Sequence, residues 1–333
     1  QTPEVVPAEI PPIEPEAPIT TLTPSPSPNP SPSPTPIVAS PAPKKVEVKP
    51  NAVVKPKEDP KPKPKEEPKP KEVAKTKPKN ACAAIPRPNV DKASEVYKDT
   101  PFKPGEAATY KMSFKGLYVG DALMNVHAPH FHQGSWHRVF DGYGRTGSWY
   151  KWIFVAEDQV RSVSHPQDFS VSWFYMEQDE GKMLQKRFIR KKTVDFMYGP
   201  CLVQEKTIKD KDAPVYKKAA LTPGVMDVMS AAYKLRTINF KIGETMKFPM
   251  FTGGKTWTAE VRPLAHETIK TEAGEFKTIK LALKTYIGEI LQQKGDSYLW
   301  IATDHPAKPI VQIEAVIKIG SIYGMLKQFK TGN

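Results

Sequence analysis

The only long stretch of this chain whose pattern predicts an α-helix is Thr222-Pro223-Gly224-Val225-Met226-Asp227-Val228-Met229-Ser230-Ala231-Ala232-Tyr233-Lys234-Leu235-Arg236-Thr237-Ile238. Thr222 can cap the first turn with its hydroxyl group, and Pro223 suits the first helical position because it has no N–H to leave unpaired. One face of the predicted helix is apolar and consists of Val225, Val228, Ala232 and Leu235. Because such a face must be buried, we expect one helix, at about residues 223–238, packed on a sheet.

On both sides of this helix, apolar and polar residues alternate with the period of two that is typical of strands. The strands predicted before the helix are residues 110–114, 119–126, 136–143, 159–163, 171–178, 183–190 and 194–198. Those predicted after it are residues 245–251, 256–261, 268–271, 276–283, 298–302, 310–319 and 323–329. Residues 149–155 fit either a short helix or a buried strand, and residues 206–218 are interpreted as a lysine-rich connection.

So many turn-linked strands require curvature. The expected fold is therefore mainly β, a curved antiparallel meander or half-open β-barrel with one packed α-helix.

Composition divides the chain into a spacer and a domain. Most of the 36 prolines lie in the first hundred positions, so the folded mass is smaller than the length of 333 residues implies. Residues 1–85 are expected to be a disordered spacer, first rich in Pro and Ser and then in Pro and Lys, because proline locks φ and like charges repel. Residues 86–100 are expected to connect this spacer to a single β-rich domain at residues 101–330.

Several short motifs mark the region from Pro101 to Lys330. They are Pro101-Phe102-Lys103-Pro104-Gly105-Glu106, Gly120-Asp121-Ala122, the helical Ala231-Ala232-Tyr233-Lys234-Leu235-Arg236, Gly243-Glu244, Phe251-Thr252-Gly253-Gly254-Lys255, Thr271-Glu272-Ala273-Gly274-Glu275-Phe276 and Ile301-Ala302-Thr303-Asp304. This set resembles the bacterial exported domain-of-unknown-function family 3108. The resemblance implies an envelope protein with a curved, mostly antiparallel sheet, similar to periplasmic lipoprotein carriers, and it implies no particular reaction or ligand. The Pro/Lys-rich leader resembles the spacers of periplasmic proteins.

Three features predict a protein of the periplasm or cell envelope. The sequence starts with Gln1 rather than Met, which is expected of an exported chain whose signal peptide has been removed. No stretch reaches the 18 or more apolar residues typical of a transmembrane segment. Cys82 and Cys201 are an even pair, consistent with one disulfide in an oxidising compartment, although two unrelated buried thiols are the alternative.

The net charge of +13 favours acidic partners. The expected partners are envelope components, namely anionic lipid, cell-wall polymer or another envelope protein. Nucleic acid is not expected, because the sequence lacks the aromatic and basic signatures of nucleic-acid-binding modules.

The motifs that could carry chemistry are incomplete. Residues 142–147 satisfy G-x-G-x-x-G, but the segments that follow are short strands rather than a βαβ unit, so we interpret these glycines as a tight bend and expect no cofactor. His127, His130, His132 and His137 crowd together, yet no nearby Cys completes a ligand set and Pro129 interrupts the strand, so no metal is expected. No nucleophile elbow or zinc-protease motif is complete, and the chain is not expected to be an enzyme.

Aromatic residues are concentrated between residues 149 and 175, and a curved sheet needs bulky residues on its concave side. Most of these aromatics are therefore core on the simplest interpretation. The sharper hypothesis is a non-enzymatic envelope module that holds an apolar or amphipathic, lipid-like ligand against Trp149, Trp152, Phe154, Trp173 and Tyr175. The main alternative is a structural or scaffold protein that binds cell wall or another envelope protein, and a hydrolase is a weaker one.

Overall fold

Fifteen strands and one α-helix form the described part of the chain. The computed structural model describes Cys82 and residues 87–182, 185–287, 290–291, 297–317 and 320–333; of the predicted spacer it includes only Cys82, and of the predicted connecting segment residues 87–100. The strands are β1 (Ala107–Phe114), β2 (Leu117–His132), β3 (Ser135–Thr146), β4 (Phe154–Ser164), β5 (Val171–Lys182), β6 (Gln185–Met197), β7 (Leu202–Lys209), β8 (Val215–Ala220), β9 (Met246–Thr252), β10 (Lys255–Thr271), β11 (Gly274–Ile287), β12 (Ile290–Leu291), β13 (Ser297–Ala302), β14 (Ile310–Ile317) and β15 (Gly320–Lys330). The helix α1 is Val228–Arg236.

The strands form one antiparallel sheet in the order β8-β7-β6-β5-β4-β3-β2-β1-β15-β14-β13-β11-β10-β9, with β12 paired to β11. Neighbours in the sheet are also neighbours in sequence, with two exceptions: the first strand pairs with the last, and β11 pairs with β13. Within the described residues β8 and β9 are the two edges, and the sheet is not closed into a barrel. The predicted fold class, a mainly β curved antiparallel sheet with one helix, is confirmed.

Three strand predictions were wrong because polar residues interrupted the apolar pattern. The two strands predicted at residues 183–190 and 194–198 are replaced by a single strand, β6 at Gln185–Met197, whose lysines form ion pairs across the sheet, such as Lys192 with Glu205 at 3.1 Å. Residues 256–261 and 268–271 are both in β10, which passes through an irregularity at Pro263 without ending. The lysine-rich connection at 206–218 contains the end of β7 and the start of β8.

The helix begins later than predicted. Its N-cap is Asp227, not Thr222, and the Asp227 carboxylate accepts hydrogen bonds from the backbone N–H groups of Met229 at 2.7 Å and Ser230 at 3.1 Å. The Ser230 hydroxyl in turn accepts from the Asp227 N–H, which completes a capping box. The apolar face differs accordingly, because Val225 precedes the helix and Val228 is 54% exposed.

The extended residues before the helix bridge two distant parts of the sheet. Val225 accepts a hydrogen bond from the N–H of Val171 at the start of β5. Met226 donates to Pro249 and accepts from Phe251, both in β9. Through Met226 this segment pairs with the free edge of β9, and through Val225 it reaches the start of β5, so it links two strands that are far apart in the order of the curved sheet; the helix that follows covers the concave face. We call this face the inner face.

Aromatic rings pack the helix against the inner face. Tyr233 of α1 stacks on Phe140 of β3 with ring centroids 4.0 Å apart. Phe102 contacts the same tyrosine edge-on at 5.0 Å. The segment before β1 adds Val96 and Tyr97, both buried, so residues 87–100 pack with the domain. The helix therefore covers the inner face from the middle of the sheet toward one end.

A buried ion pair holds the other end of the helix. Arg236 forms two hydrogen bonds to the Glu106 carboxylate, at 2.6 and 2.9 Å, and both side chains are almost completely buried. The same guanidinium donates to the carbonyl groups of Ala307 and Lys308 in the turn between β13 and β14. One side chain thus joins the helix, the segment entering β1 and a distant turn.

Cys82 and Cys201 form a disulfide in the structure, with Cα atoms 5.5 Å apart. Both sulfur atoms lie near the carbonyl of Leu221. The bridge therefore ties Cys82 to the small core formed by β5 to β7 and the segment before the helix.

We expect Glu106→Gln to lower the free energy of unfolding by about 3–5 kcal/mol, because it leaves the Arg236 charge buried without a counter-charge. Urea unfolding of the full chain measures this. The matched control is Glu272→Gln, which removes an exposed carboxylate 3.2 Å from Lys111 and should change stability by less than about 1 kcal/mol. Equal losses in the two variants would contradict the buried-pair interpretation.

Candidate functional site

The register of the sheet shows which residues share the inner face, because residues directly opposite in an antiparallel pair point to the same side. The row beneath the helix consists of Val126, Phe140, Ser162, Phe174 and Val194. Ser162 hydrogen-bonds Asp227, the N-cap of the helix, at 2.5 Å. This row is the part of the inner face that α1 covers.

Two glycines of β3 mark where that cover ends. A Cβ atom on Gly142 would lie 3.1 Å from the sulfur of Met229, so the helix rests directly on this position. A Cβ atom on Gly144, the next residue on the same face, would meet none of the described heavy atoms within 4 Å. The inner face therefore passes, within two residues, from a packed core to open space.

The open part of the inner face has an apolar floor and a polar rim. The row of Gly142 forms the boundary with the helix; its paired residues are Met124, Val160, Met176 and Lys192, all half-buried, and Met124 and Val160 also pack against the core beneath the helix. In the row of Gly144 the paired residues are Ala122, Asp158, Gln178 and Arg190, also half-buried. We call the space above these two rows the hollow. Its lining combines flexible thioethers with groups that can donate and accept hydrogen bonds.

The carboxyl group of Asp158 is the most perturbed group of the rim. Burial, and next the negative charge of Glu180, raise the pKa of Asp158 to about 6. Its Oδ1 atom accepts one hydrogen bond, from the Asp179 N–H at 3.2 Å, which partly offsets the rise. The rim can therefore change its charge near neutral pH.

An exposed apolar surface lies at the end of the sheet where β3 stops. Trp149 and Trp152 of the β3–β4 connection are 84% and 65% exposed. The turn between β1 and β2 lies beside them, since Gly147 donates a hydrogen bond to Val119 at 2.9 Å. We call this surface the tip patch; its members are Leu117, Tyr118, Trp149, Trp152, Ile153 and Phe154. It adjoins the open end of the hollow.

The structure divides the five aromatics predicted to line a ligand site. Trp149, Trp152 and Phe154 belong to the tip patch. Trp173 and Tyr175 lie on the outer face, because the residue between them, Phe174, pairs with Ser162 on the inner face. They stack on each other with ring centroids 6.1 Å apart. The five residues therefore do not form one surface.

Sequence reasoning missed the residues that do line the hollow. The glycines interpreted as a bend, Gly142 and Gly144, lie within the regular strand β3. Met124 and Met176 are isolated apolar residues in polar strands, so the sequence pattern does not indicate a binding role for them. The alternation along β2 to β5 contained this signal, but only the strand register could assign a side to each residue.

The crowded histidines lie at the other end of β2 and β3. The rings of His132 and His137 are 5.7 Å apart, and those of His137 and His165 are 5.8 Å apart. Burial lowers the pKa of both His132 and His137 to about 4, so they are neutral at physiological pH. Among the residues that the structure describes, no three histidine, cysteine or acidic side chains are placed to hold a metal ion.

The sequence matches the family DUF3108, a protein of unknown function, over residues 109–327. The chain belongs to the DUF3108 family. The match begins in β1 and ends in β15, so it includes the helix, the hollow and the tip patch. The resemblance predicted from the motifs is therefore confirmed, and the DUF3108 family carries no assigned activity.

Several solved structures resemble this DUF3108 domain at low identity. A β-barrel-like protein of the domain of unknown function DUF1849 from Brucella abortus is 7% identical, with a TM-score of 0.43 over 68% of this chain and 98% of that chain. A protein from Bacteroides fragilis described as exported, with a YmcC-like fold, is 11% identical, with a TM-score of 0.32 over 70% and 98% of the two chains. A protein from Parabacteroides distasonis described as a lipoprotein is also 11% identical, with a TM-score of 0.30 over the same shares. No curated protein matches the sequence.

The described part of the DUF3108 chain contains no helix with the length and apolar character needed to cross a membrane.

We expect Asp158→Asn to stabilise the fold at pH 7.5 by about 1 kcal/mol, a value reduced for the partial exposure of the side chain. Because the folded-state pKa lies above the usual 3.8, the native carboxyl group costs stability as pH rises from about 4 to about 6. The gain should therefore vanish near pH 4. Urea unfolding at a series of pH values measures it.

The control for this prediction is Glu177→Gln on the outer face. Burial alone would raise the pKa of Glu177, but hydrogen bonds from Tyr175, Lys191 and Gln159 lower it overall. The Glu177 carboxylate should thus contribute stability above its unfolded-state pKa, and its removal should destabilise the fold at pH 7.5. A destabilised Asp158→Asn variant at pH 7.5 would refute the raised pKa.

Proposed function

We propose that this protein is a non-enzymatic binding module of the cell envelope that holds an apolar or amphipathic, lipid-like ligand in the hollow. The observation that carries this proposal is the contrast between Gly142, which the helix covers, and Gly144, which faces open space on the same side of the same strand. A helix that covers only part of a concave sheet leaves the remaining inner face free for another molecule.

The lining of the hollow favours a ligand with one apolar and one polar part. The floor of the hollow is apolar and adaptable, because it consists mainly of Met124, Val160 and Met176 and thioethers fit irregular shapes. Asp158, Gln178 and Arg190 offer the rim both hydrogen-bond donors and acceptors. An acyl chain on the floor with its headgroup at the rim would satisfy both surfaces.

The disulfide and the charge support an envelope location, which the protein would reach by export. The bond between Cys82 and Cys201 belongs to an oxidising compartment such as the periplasm. The net charge of +13 suits anionic lipid or cell-wall polymer as a partner. The Pro/Lys-rich residues before the domain would act as the spacer that lets it reach such partners.

The experiment is to fill the hollow. Gly144→Trp places a large side chain in the open space without a clash at Cβ, so we expect the variant to fold and to bind ligand at least tenfold more weakly. Native mass spectrometry with extracted lipids and titration with a fluorescent fatty acid measure the binding. The matched control is Tyr143→Trp, which adds bulk to the neighbouring, 38% exposed residue on the outer face and should leave the affinity unchanged.

Two results would count against the carrier proposal. One is the absence of any bound lipid mass and of any fatty-acid response in the wild-type chain. The other is equal binding by wild type and Gly144→Trp, which would place the ligand elsewhere on the protein.

The tip patch favours a second candidate function, docking on another envelope component, as a scaffold would. Trp149 is 84% exposed, far more than an ordinary core tryptophan. Lys151 lies between the two tryptophans, and this mixture of tryptophan and lysine is typical of protein segments that rest on an anionic bilayer surface. Docking at the tip would also bring the open end of the hollow to the membrane.

We expect the double substitution Trp149→Ser with Trp152→Ser to reduce sedimentation with vesicles containing phosphatidylglycerol at least fivefold, because it removes the exposed apolar surface. The control is Phe131→Ser, which removes a 53% exposed aromatic ring at the opposite end of β2. Unchanged vesicle binding by the double variant would remove the membrane-docking role. Retention of wild type on isolated cell-wall sacculi instead would favour the wall-binding scaffold.

A further inference from the structure

A cavity of about 550 Å³ opens at the end of the domain opposite the tip patch. Its walls come from the segment before β1, the loop between β4 and β5, and the C-terminal end of α1. The charged residues that line it are Glu95, Lys98, Asp99, Arg138 and Lys234. It is separate from the hollow, and its volume is in the range of small-molecule sites, roughly 300–1,000 Å³.

Two cations in this cavity share one aromatic ring. The guanidinium carbon of Arg138 lies 4.2 Å from the centre of the Phe169 ring, and Nζ of Lys234 lies 5.1 Å from it. Phe169 itself has φ of +64°, a left-handed conformation that is unfavourable for a bulky residue. Such strained positions in loops are concentrated at binding sites, because the surrounding structure must hold them in place.

Arg138 has a donor that the protein does not use. Its Nε donates to the carbonyl of Val96 at 3.0 Å, but its buried Nη1 has no hydrogen-bond partner among the described residues. Only 5% of the surface of Arg138 is exposed to solvent. A buried donor without a partner is costly, so it indicates a missing acceptor.

The nearest carboxylates do not supply that acceptor. Asp168 is engaged by Arg87 at 3.4 Å and by the backbone N–H of Ser170 at 2.9 Å. Neither Arg138 nor Lys234 forms an ion pair with any side chain in the described ranges. Asp99 is exposed at the cavity; its charge and that of Asp168 favour the charged form of Arg138, but neither carboxylate forms an ion pair with the guanidinium among the described residues.

The two cations also destabilise each other. Burial lowers the pKa of Arg138 to about 10. Burial, and next the charge of Arg138, lower the pKa of Lys234. An anion placed between them would relieve the repulsion and satisfy the free donor. The unpaired donor of Arg138 and the repulsion between the two cations therefore both favour the binding of an anion.

We propose that this cavity binds an oxyanion, a phosphate or carboxylate group carried by a small ligand, with Arg138 and Lys234 as its donors. The cavity has room for an organic ligand beyond the oxyanion itself. The oxyanion belongs either to a soluble metabolite or to the headgroup of a lipid. The ring of Phe169 holds both cations in position, and Glu95 and Asp99 at the mouth favour a ligand that is not strongly anionic overall.

The experiment measures the melting temperature and the binding heat of the full chain with three probes: inorganic phosphate, acetate and glycerol 3-phosphate, each against chloride of equal ionic strength. We expect at least one oxyanion probe to stabilise the wild type. Lys234→Met, which keeps the apolar stem, should bind it at least tenfold more weakly. Lys247→Met, which removes an exposed lysine of β9, should bind like wild type.

A second variant keeps the test decisive if Arg138 also has a structural role. Arg138→Lys retains a charge but loses the planar fork, so we expect it to weaken oxyanion binding even where its own melting temperature falls. Lys234→Met should not be less stable than wild type in chloride, because it removes a repelled, half-buried charge. A purely structural role for the two cations would not make stability depend on the oxyanion.

Binding of the protein to vesicles distinguishes a lipid headgroup from a soluble ligand as the source of the oxyanion. If inorganic phosphate displaces a fraction of the protein from phosphatidylglycerol vesicles, and Lys234→Met lacks that fraction, the site takes a lipid headgroup. If glycerol 3-phosphate binds and no such fraction exists, the site takes a soluble ligand. Absence of stabilisation by every probe, or binding unchanged in both cavity variants, would overturn the proposal.

Discussion

The position of the helix depends on the buried pair between Glu106 and Arg236. The remaining donors of the guanidinium bond the carbonyl groups of Ala307 and Lys308, so three chain segments that are distant in sequence meet at one charge. A buried pair of this kind is weak evidence of stability in itself, because desolvation offsets much of its attraction. A helix placement that separated the two side chains would leave both charges buried without a partner, so the pair favours the observed placement.

This pair also explains why certain motifs mark the family. Phe102 and Glu106 come from the motif at residues 101–106, and Tyr233 and Arg236 come from the helix motif. In the structure the two motifs are one packing unit, with Phe102 5.0 Å from the Tyr233 ring and the same distance from the Arg236 guanidinium. Phe102, Glu106, Tyr233 and Arg236 of these two motifs therefore serve the packing of the fold.

The sequence predicted which segments are strands or helix better than it predicted where each element begins and ends, or on which side of the sheet each side chain lies. The alternation around Tyr110 and Phe276 identified strands correctly, because one side of each is apolar. The helix start was misplaced because Thr222 and Pro223 offer good local cap chemistry, whereas the hydrogen bonds of residues 225 and 226 to β5 and β9 hold that segment extended. Trp173 and Phe174 illustrate the limit for the site: adjacent aromatics lie on opposite faces, and only long-range pairing says which one is inside.

A helix of nine residues is too short to fill a sheet of this size, and this mismatch determines where binding can occur. Its N-terminal end is tied to Ser162, so the inner face beyond Gly142 stays uncovered toward the tip. Its C-terminal end is tied to Glu106, which leaves Lys234 in the cavity that Arg138 also lines. The apolar opening at one end and the cationic cavity at the other therefore have a common cause: the capping and ion-pair contacts that anchor the helix allow neither end to extend over its neighbouring site.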